Sequence, residues 1–265
     1  MMNKLILGRY IPGDSLVHRL DPRTKLISAF YFIIIIFLAN NWLTYGILAV
    51  FAFLGILLSK ISVRFFIRGV RPMFMLILFT VVLQVLFTTG GTVFFQLGPI
   101  QVTQFGLVNG AFIFMRFVLI IFISTLMTLT TSPLSLSDAL ENILRPLRIV
   151  KFPVHELSLM LSIALRFVPT LMDETEKIMN AQRARGVDFG EGNLIQKMKA
   201  IVPLLIPLFV SSFKRADDLS DAMEARGYKG GEGRTRYRKL DWKMRDSLTI
   251  TTMLLLTSLL FVLRT

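Results

Sequence analysis

Cysteine is absent from the chain. That excludes disulfides, zinc thiolate centres and cysteine nucleophiles. Histidine is nearly absent: the two present, His18 and His155, lie far apart with no metal-binding spacing. Each reads as an interfacial residue rather than a ligand. No G-x-x-x-x-G-K-[ST] run occurs, so the chain has no phosphate cradle for ATP. No serine sits in a nucleophile elbow. Carboxylates are scarce in the apolar runs, which argues against a proton relay. Neither catalysis nor a cofactor is expected; the chain reads as a mechanical part driven from elsewhere. Met1 to Tyr10 lacks an apolar core with a small-residue cleavage site, so no signal peptide is expected.

What is abundant is apolar surface and positive charge. Of 265 residues, 54% are hydrophobic and the mean hydropathy is +0.63. Runs of bilayer length make this an all-α integral membrane protein. The net charge of +13 has two common causes, nucleic-acid binding and the positive-inside bias of membrane proteins. Its distribution favours the second. Basic residues crowd at Arg19, Arg23 and Lys25, at Lys60, Arg64, Arg68 and Arg71, and again from Arg145 to Arg245, whereas Thr88 to Phe105 carries no charge. No basic-aromatic nucleic-acid module is present.

Five membrane spans are expected: Leu26 to Ala39, Leu43 to Leu58, Met73 to Phe87, Leu107 to about Leu129, and Ser247 to Leu263. Pro72 suits the start of the third, and a Gly-rich polar loop covers 88–106. With basic flanks inside, the N-terminus is cytoplasmic and the C-terminus extracellular in a multi-pass protein of the cell membrane. The expected divisions are 1–132 with four spans, a cytosolic domain at 133–245, and a last span at 246–265. Segments 157–172 and 201–213 are apolar but interrupted by Arg166 and Pro169, and by Pro203 and Pro207, so spans there are disfavoured. Segment 133–245 carries 19 Lys/Arg and 14 Asp/Glu, which suits a solvated, protein-binding surface. Three helices are expected in it, at about 135–148, 154–185 and 193–227. Two of them are apolar in one half and charged in the other, as fits helices lying at the membrane boundary.

Arg116 is the exceptional charge within a span. One reading makes it a functional intramembrane group; the other starts the span near Ala111 and lets Arg116 snorkel to the outer interface. Gly106 and Gly110 have the small-xxx-small spacing of close helix packing.

The most specific feature is a repeated helix ending. Residues 181–192 read A-Q-R-A-R-G-V-D-F-G-E-G and residues 222–233 read A-M-E-A-R-G-Y-K-G-G-E-G. Ala184, Arg185 and Gly186 fall on Ala225, Arg226 and Gly227. Small residues at i and i+3 admit a close partner, Arg supplies a charged fork, and Gly stops the helix. A capped helix end is the bland reading of one copy. Two copies suggest two similar receptors.

The order of spans, Thr130-Thr131-Ser132-Pro133, Asp138-Ala139-Leu140, two helices ending in Ala-Arg-Gly and one final span resembles the transmembrane T component of energy-coupling factor (ECF) transporters. The resemblance implies a coupling subunit of an importer of vitamins or other micronutrients. Its partners would be two ATP-binding-cassette ATPases, EcfA and EcfA′, a substrate-binding S component and the lipid membrane, with no nucleic acid. Ala184-Arg185-Gly186 and Ala225-Arg226-Gly227 would dock one into each ATPase. The apolar halves of the same helices, with Leu157, Leu161, Leu165, Leu205 and Phe209, are the expected seat of the S component. The alternative is the permease subunit of a conventional ABC importer, against which two docking helices in one chain argue.

Overall fold

The computed structural model describes residues 10–97, 100–150, 152–187, 189, 193–230 and 240–264. Apart from one small hairpin, its regular elements among these residues are helical. Contacts divide the described chain into two units, one of residues 10–139 with 240–264 and one of residues 140–230.

The first unit is a helical bundle. Helix α1 (Pro22–Ile36) starts with proline behind an Asp21 cap, where a missing N–H costs nothing. Helix α2 (Trp42–Ser59) is opened by a capping box between Asn41 and Thr44. Helix α3 (Val63–Val70) leads through a 3-10 turn at Arg71–Met73 into α4 (Phe74–Phe87). Pro72 therefore sits in that turn, and the helical segment begins at Val63, ten residues before the expected Met73. The expected loop at 88–106 instead holds an antiparallel hairpin of β1 (Val93–Leu97) and β2 (Ile100–Thr103). An isolated hairpin is marginal in water; here β2 lies against α4 and the start of α5. Helix α5 (Gln104–Thr130) follows directly, capped by the Thr103 hydroxyl on the Gly106 N–H. Helix α6 (Pro133–Leu144) again begins with proline, and α9 (Met244–Leu263) closes the bundle.

The core of this unit joins α1, α2, α5 and α9. Phe32, Ile36, Tyr45 and Leu48 are fully buried, and Leu119, Ile123, Leu256 and Leu260 pack with them. Helix α5 touches α1, α2, α3 and α4. Its glycines explain the close approach of α4: a Cβ on Gly110 would lie 2.8 Å from Val85 Cγ2, and one on Gly106 3.0 Å from the Val85 carbonyl oxygen. The small-xxx-small reading of this pair is borne out.

The second unit is dominated by two long helices, α7 (Val154–Ala184) and α8 (Leu194–Ala225), packed on one another. Five helical segments are long and apolar enough to cross a membrane: 42–59, 63–87, 104–130, 154–184 and 244–263. The expected count holds but its membership differs. Helix α1 has 15 residues, about 22 Å at 1.5 Å per residue, because Phe37 to Ala39 already turn the chain. Helix α7, disfavoured as a span on its Arg166 and Pro169, qualifies by length and composition.

Candidate functional site: two matched helix ends

The two Ala-Arg-Gly triplets end α7 and α8 in the same way. In the first, the N–H of Val187 donates to the Gln182 carbonyl at 3.0 Å and that of Gly186 to Arg183 at 3.0 Å. In the second, Tyr228 donates to Met223 at 3.0 Å and Gly227 to Glu224 at 2.8 Å. These are the paired bonds of a Schellman cap, closing two otherwise orphaned carbonyls. Each requires a left-handed residue after the helix. Gly186 has φ 87° and Gly227 φ 73°, values at which a Cβ would be strained.

With the backbone closed, Arg185 and Arg226 are the cap residues, placed at the negative end of their helix dipoles. Ala184, Arg185, Gly186, Ala225, Arg226 and Gly227 are all exposed. Neither guanidinium has an ion-pair or hydrogen-bond partner among the described residues. Arg183 instead lies over the Phe189 ring, 5.9 Å from its centre. The matching Gly190-Glu191-Gly192 and Gly231-Glu232-Gly233 lie outside the described residues.

The two ends are held apart rather than brought together. The Gln182 side-chain amide donates to the Pro203 carbonyl at 3.3 Å. Glu174 accepts from the Ser211 hydroxyl and pairs with Arg215 at 2.9 Å. As α7 advances from 174 to 182, its partners on α8 fall from 215 to 203, so the helices run antiparallel. Ala225 therefore lies 22 residues beyond Pro203, and the tips are separated by up to about 35 Å along the pair.

This packing sets the apolar half of each helix beside the charged half of the other. Arg215 also covers the Phe167 ring at 5.8 Å. The Gln182 bond has a local cause: Pro207 has no N–H to offer the carbonyl of Pro203, four residues earlier, and Gln182 supplies the missing donor. Nothing in the sequence pairs Gln182 with Pro203, or Glu174 with Arg215, because the pairs are 21 and 41 residues apart.

Of the other expected positions, Leu157, Leu161, Leu205 and Phe209 are exposed and Leu165 is half-buried. Ile206, Val210 and Phe213 add exposed apolar surface to α8. Arg116 is in the other unit. Its Nη2 donates to the Tyr45 hydroxyl at 2.9 Å, and its guanidinium lies 4.9 Å from the Phe37 ring. His155, expected at an interface, is half-buried beside Glu141 at 3.4 Å, and Glu141 also accepts from Ser158. His18 bridges Ser15 and the Ile11 carbonyl.

Residues 13–237 match the cobalt transport protein family, CbiQ. The chain is 66% identical over 263 residues to the energy-coupling factor transporter transmembrane protein EcfT of Lacticaseibacillus paracasei, covering 99% of this chain and 100% of that one. It is 62% identical to the protein so named from Streptococcus equi, over 99% of this chain and 98% of that one. It is 54% identical to that of Bacillus subtilis, over the whole of both. A repeated capped Ala-Arg-Gly end and a multi-pass helical bundle thus occur together in a chain that belongs to the family of ECF transporter transmembrane proteins, EcfT.

Proposed function

We propose that this chain transmits the motion of two cytosolic ABC-type ATPases, the EcfA and EcfA′ of its family, to a substrate-binding S component that imports a vitamin or another micronutrient. ATP hydrolysis belongs to the partner subunits. The observation that carries this reading is the identity of the two helix ends: same triplet, same cap bonds, and a guanidinium with no partner among the described residues. Two equal plugs fit two similar sockets. Their separation of up to about 35 Å, on antiparallel helices, suits sockets on two different subunits.

Docking would take each Arg out of water against acceptors on an ATPase. A charge-assisted contact of this kind contributes about 1.5–3 kcal/mol. The flanking Ala184 and Ala225 permit close backbone approach, and the Gly caps leave the tip without a side chain in the way. The exposed apolar faces of α7 and α8 would carry the S component at the membrane boundary, since a surface of that kind calls for a partner. Closure of the ATPase pair would then change the α7–α8 crossing, where Glu174 and Arg215 meet. On this reading α1 spans the membrane together with Phe37 to Ala39, α7 lies at the membrane boundary although it is long and apolar enough to cross it, residues 133–245 lie on the cytosolic side, the N-terminus is cytoplasmic and the C-terminus extracellular.

The test is co-purification of Arg185→Glu/Arg226→Glu with both ATPases. The variant should insert in the membrane at wild-type level and recover neither ATPase. Recovery of both at wild-type yield refutes the docking role.

A further inference from the structure

The connection from α2 to α4 carries positive charge that nothing around it balances. Lys60 caps α2, and Arg64, Arg68 and Arg71 follow along α3. All four are exposed. No aspartate or glutamate occurs between Asp21 and Asp138, so α2, α3, α4 and α5 hold no carboxylate. None of the four side chains has an ion-pair or hydrogen-bond partner among the described residues. Arg68 lies over the Phe65 ring, 6.0 Å from its centre, which leaves its N–H donors unused.

Helix α3 is fixed so that its cations face outward. Phe66 is fully buried with Ile56 of α2 and Leu129 of α5, and meets the Phe122 ring edge-on at 6.0 Å. A Cβ on Gly69 would lie 2.9 Å from Thr125 Oγ1, so α3 sits tightly against α5. At about 100° per residue, Arg64, Arg68 and Arg71 fall within an arc of about 60°, with Phe66 on the opposite side. The same three- and four-residue spacing continues past the 3-10 turn to Met75, Leu78 and Val82 of α4, all exposed. Three cations thus lead into an apolar stripe on a segment, 63–87, that is long and apolar enough to cross a membrane.

We propose that the outward face of α3 binds anionic phospholipid headgroups through Arg64, Arg68 and Arg71, with Lys60 four residues ahead of them. Charge complementarity carries the proposal: guanidinium forks take phosphate oxygens in pairs, and these forks have no carboxylate of their own helices to take instead. The order along the stripe selects a lipid over an acidic protein. A phospholipid presents first phosphate and then acyl chain, as the stripe presents first Arg and then Met75, Leu78 and Val82. The long Arg stems can lie on apolar surface while the three forks gather at headgroup level. An anionic lipid is selected over a zwitterionic one, whose choline or ethanolamine brings a further cation to the cluster. The site lies in the other unit from the Ala-Arg-Gly ends and does not rest on the ATPase and S-component assignments.

The test uses the full chain in mild detergent with equal amounts of phosphatidylglycerol and phosphatidylcholine of the same acyl chains, and reads retained lipid by native mass spectrometry. Wild type should retain phosphatidylglycerol about tenfold over phosphatidylcholine, since several basic side chains near a headgroup add their attractions. Arg64→Gln/Arg68→Gln/Arg71→Gln should bring the ratio close to one. Lys177→Gln/Lys199→Gln/Lys214→Gln, which removes the same charge from exposed positions of α7 and α8, should leave the ratio unchanged. Equal retention of the two lipids by wild type overturns the proposal. So does an undiminished ratio in the arginine variant, or an equal fall in both triple variants. If the arginine variant does not fold, the wild-type ratio still decides, together with a photo-crosslinker at the exposed Ile67 of α3. In the assembled transporter it should capture phospholipid; capture of a protein subunit in its place overturns the proposal.

Discussion

The Lys25 ammonium donates to the Thr130 carbonyl at 2.8 Å, joining the first turn of α1 to the last residue of α5. It also donates to the His18 carbonyl at 3.0 Å, with Asp21 and Asp246 in electrostatic reach. All three charged residues are buried. Asp246 in turn accepts from the Asp21 backbone at 2.8 Å and the Lys243 backbone at 2.9 Å. One ammonium thus gathers the N-terminal segment, α1, α5 and α9 at a single end of the bundle. Lys25→Met should lose about 3–5 kcal/mol, the usual cost of stranding buried opposite charges. Thermal unfolding in detergent checks this; a transition unchanged from wild type would show that the ammonium contributes nothing.

The α4–α5 contact depends on the missing side chains of Gly106 and Gly110. The nearest atom to a Cβ on Gly106 is the Val85 carbonyl oxygen, a backbone atom that cannot rotate away. Gly106→Val should cost about 1–3 kcal/mol through overpacking, and Gly110→Ala less, because Val85 Cγ2 can shift. Comparing detergent stability of the two variants tests the order.

Gln182 closes the carbonyl that Pro207 leaves open in α8. Gln182→Leu removes that donor and should destabilise α8 around Pro203 by about 1 kcal/mol, the cost of an unmet acceptor that is only partly buried. Hydrogen exchange should rise in the amides of 203–211 and stay unchanged in α1 and α2. Uniform exchange across both units would contradict the local role.

If the S component sits on the apolar faces, Leu161→Glu or Leu205→Glu should cut S-component binding and substrate uptake about tenfold or more, a loss of roughly 1.4 kcal/mol or above. Both ATPases should remain attached. Loss of the ATPases with the S component retained would reverse the assignment of the two surfaces.

The cap glycines separate shape from charge. Gly186→Ala and Gly227→Ala meet no neighbour within 4 Å, so their cost is the left-handed backbone alone, about 1–2 kcal/mol each. The last turns should fray and ATPase binding weaken moderately, well short of the loss expected for the two Arg→Glu changes. A binding assay with purified ATPases ranks them; an equal loss in both pairs would mean that cap shape, rather than the charge, is what the partners read.

Much of the local structure was legible from residue pattern alone. Gly after Ala-Arg marked both helix ends, because only glycine takes the left-handed cap without strain. Gly106 and Gly110 announced a close packing partner. The hairpin at 93–103 was hidden by its short strands, and α1 looked longer than it is because Phe37, Leu38 and Ala39 are as apolar as the helix they leave. Charge and hydropathy determined that this is a membrane protein with a charged segment between its last two expected spans, because burial in lipid is a property of composition. Only tertiary structure decided that α7 and α8 run antiparallel, which sends the matched tips in opposite directions. It alone placed Lys25 at Thr130, Arg116 at Tyr45 and Glu174 at Arg215, pairs 105, 71 and 41 residues apart. The physical reason is common to all of them: a side chain's own sequence neighbours set its helix and its face, whereas its charge partner is set by which helix packs against that face.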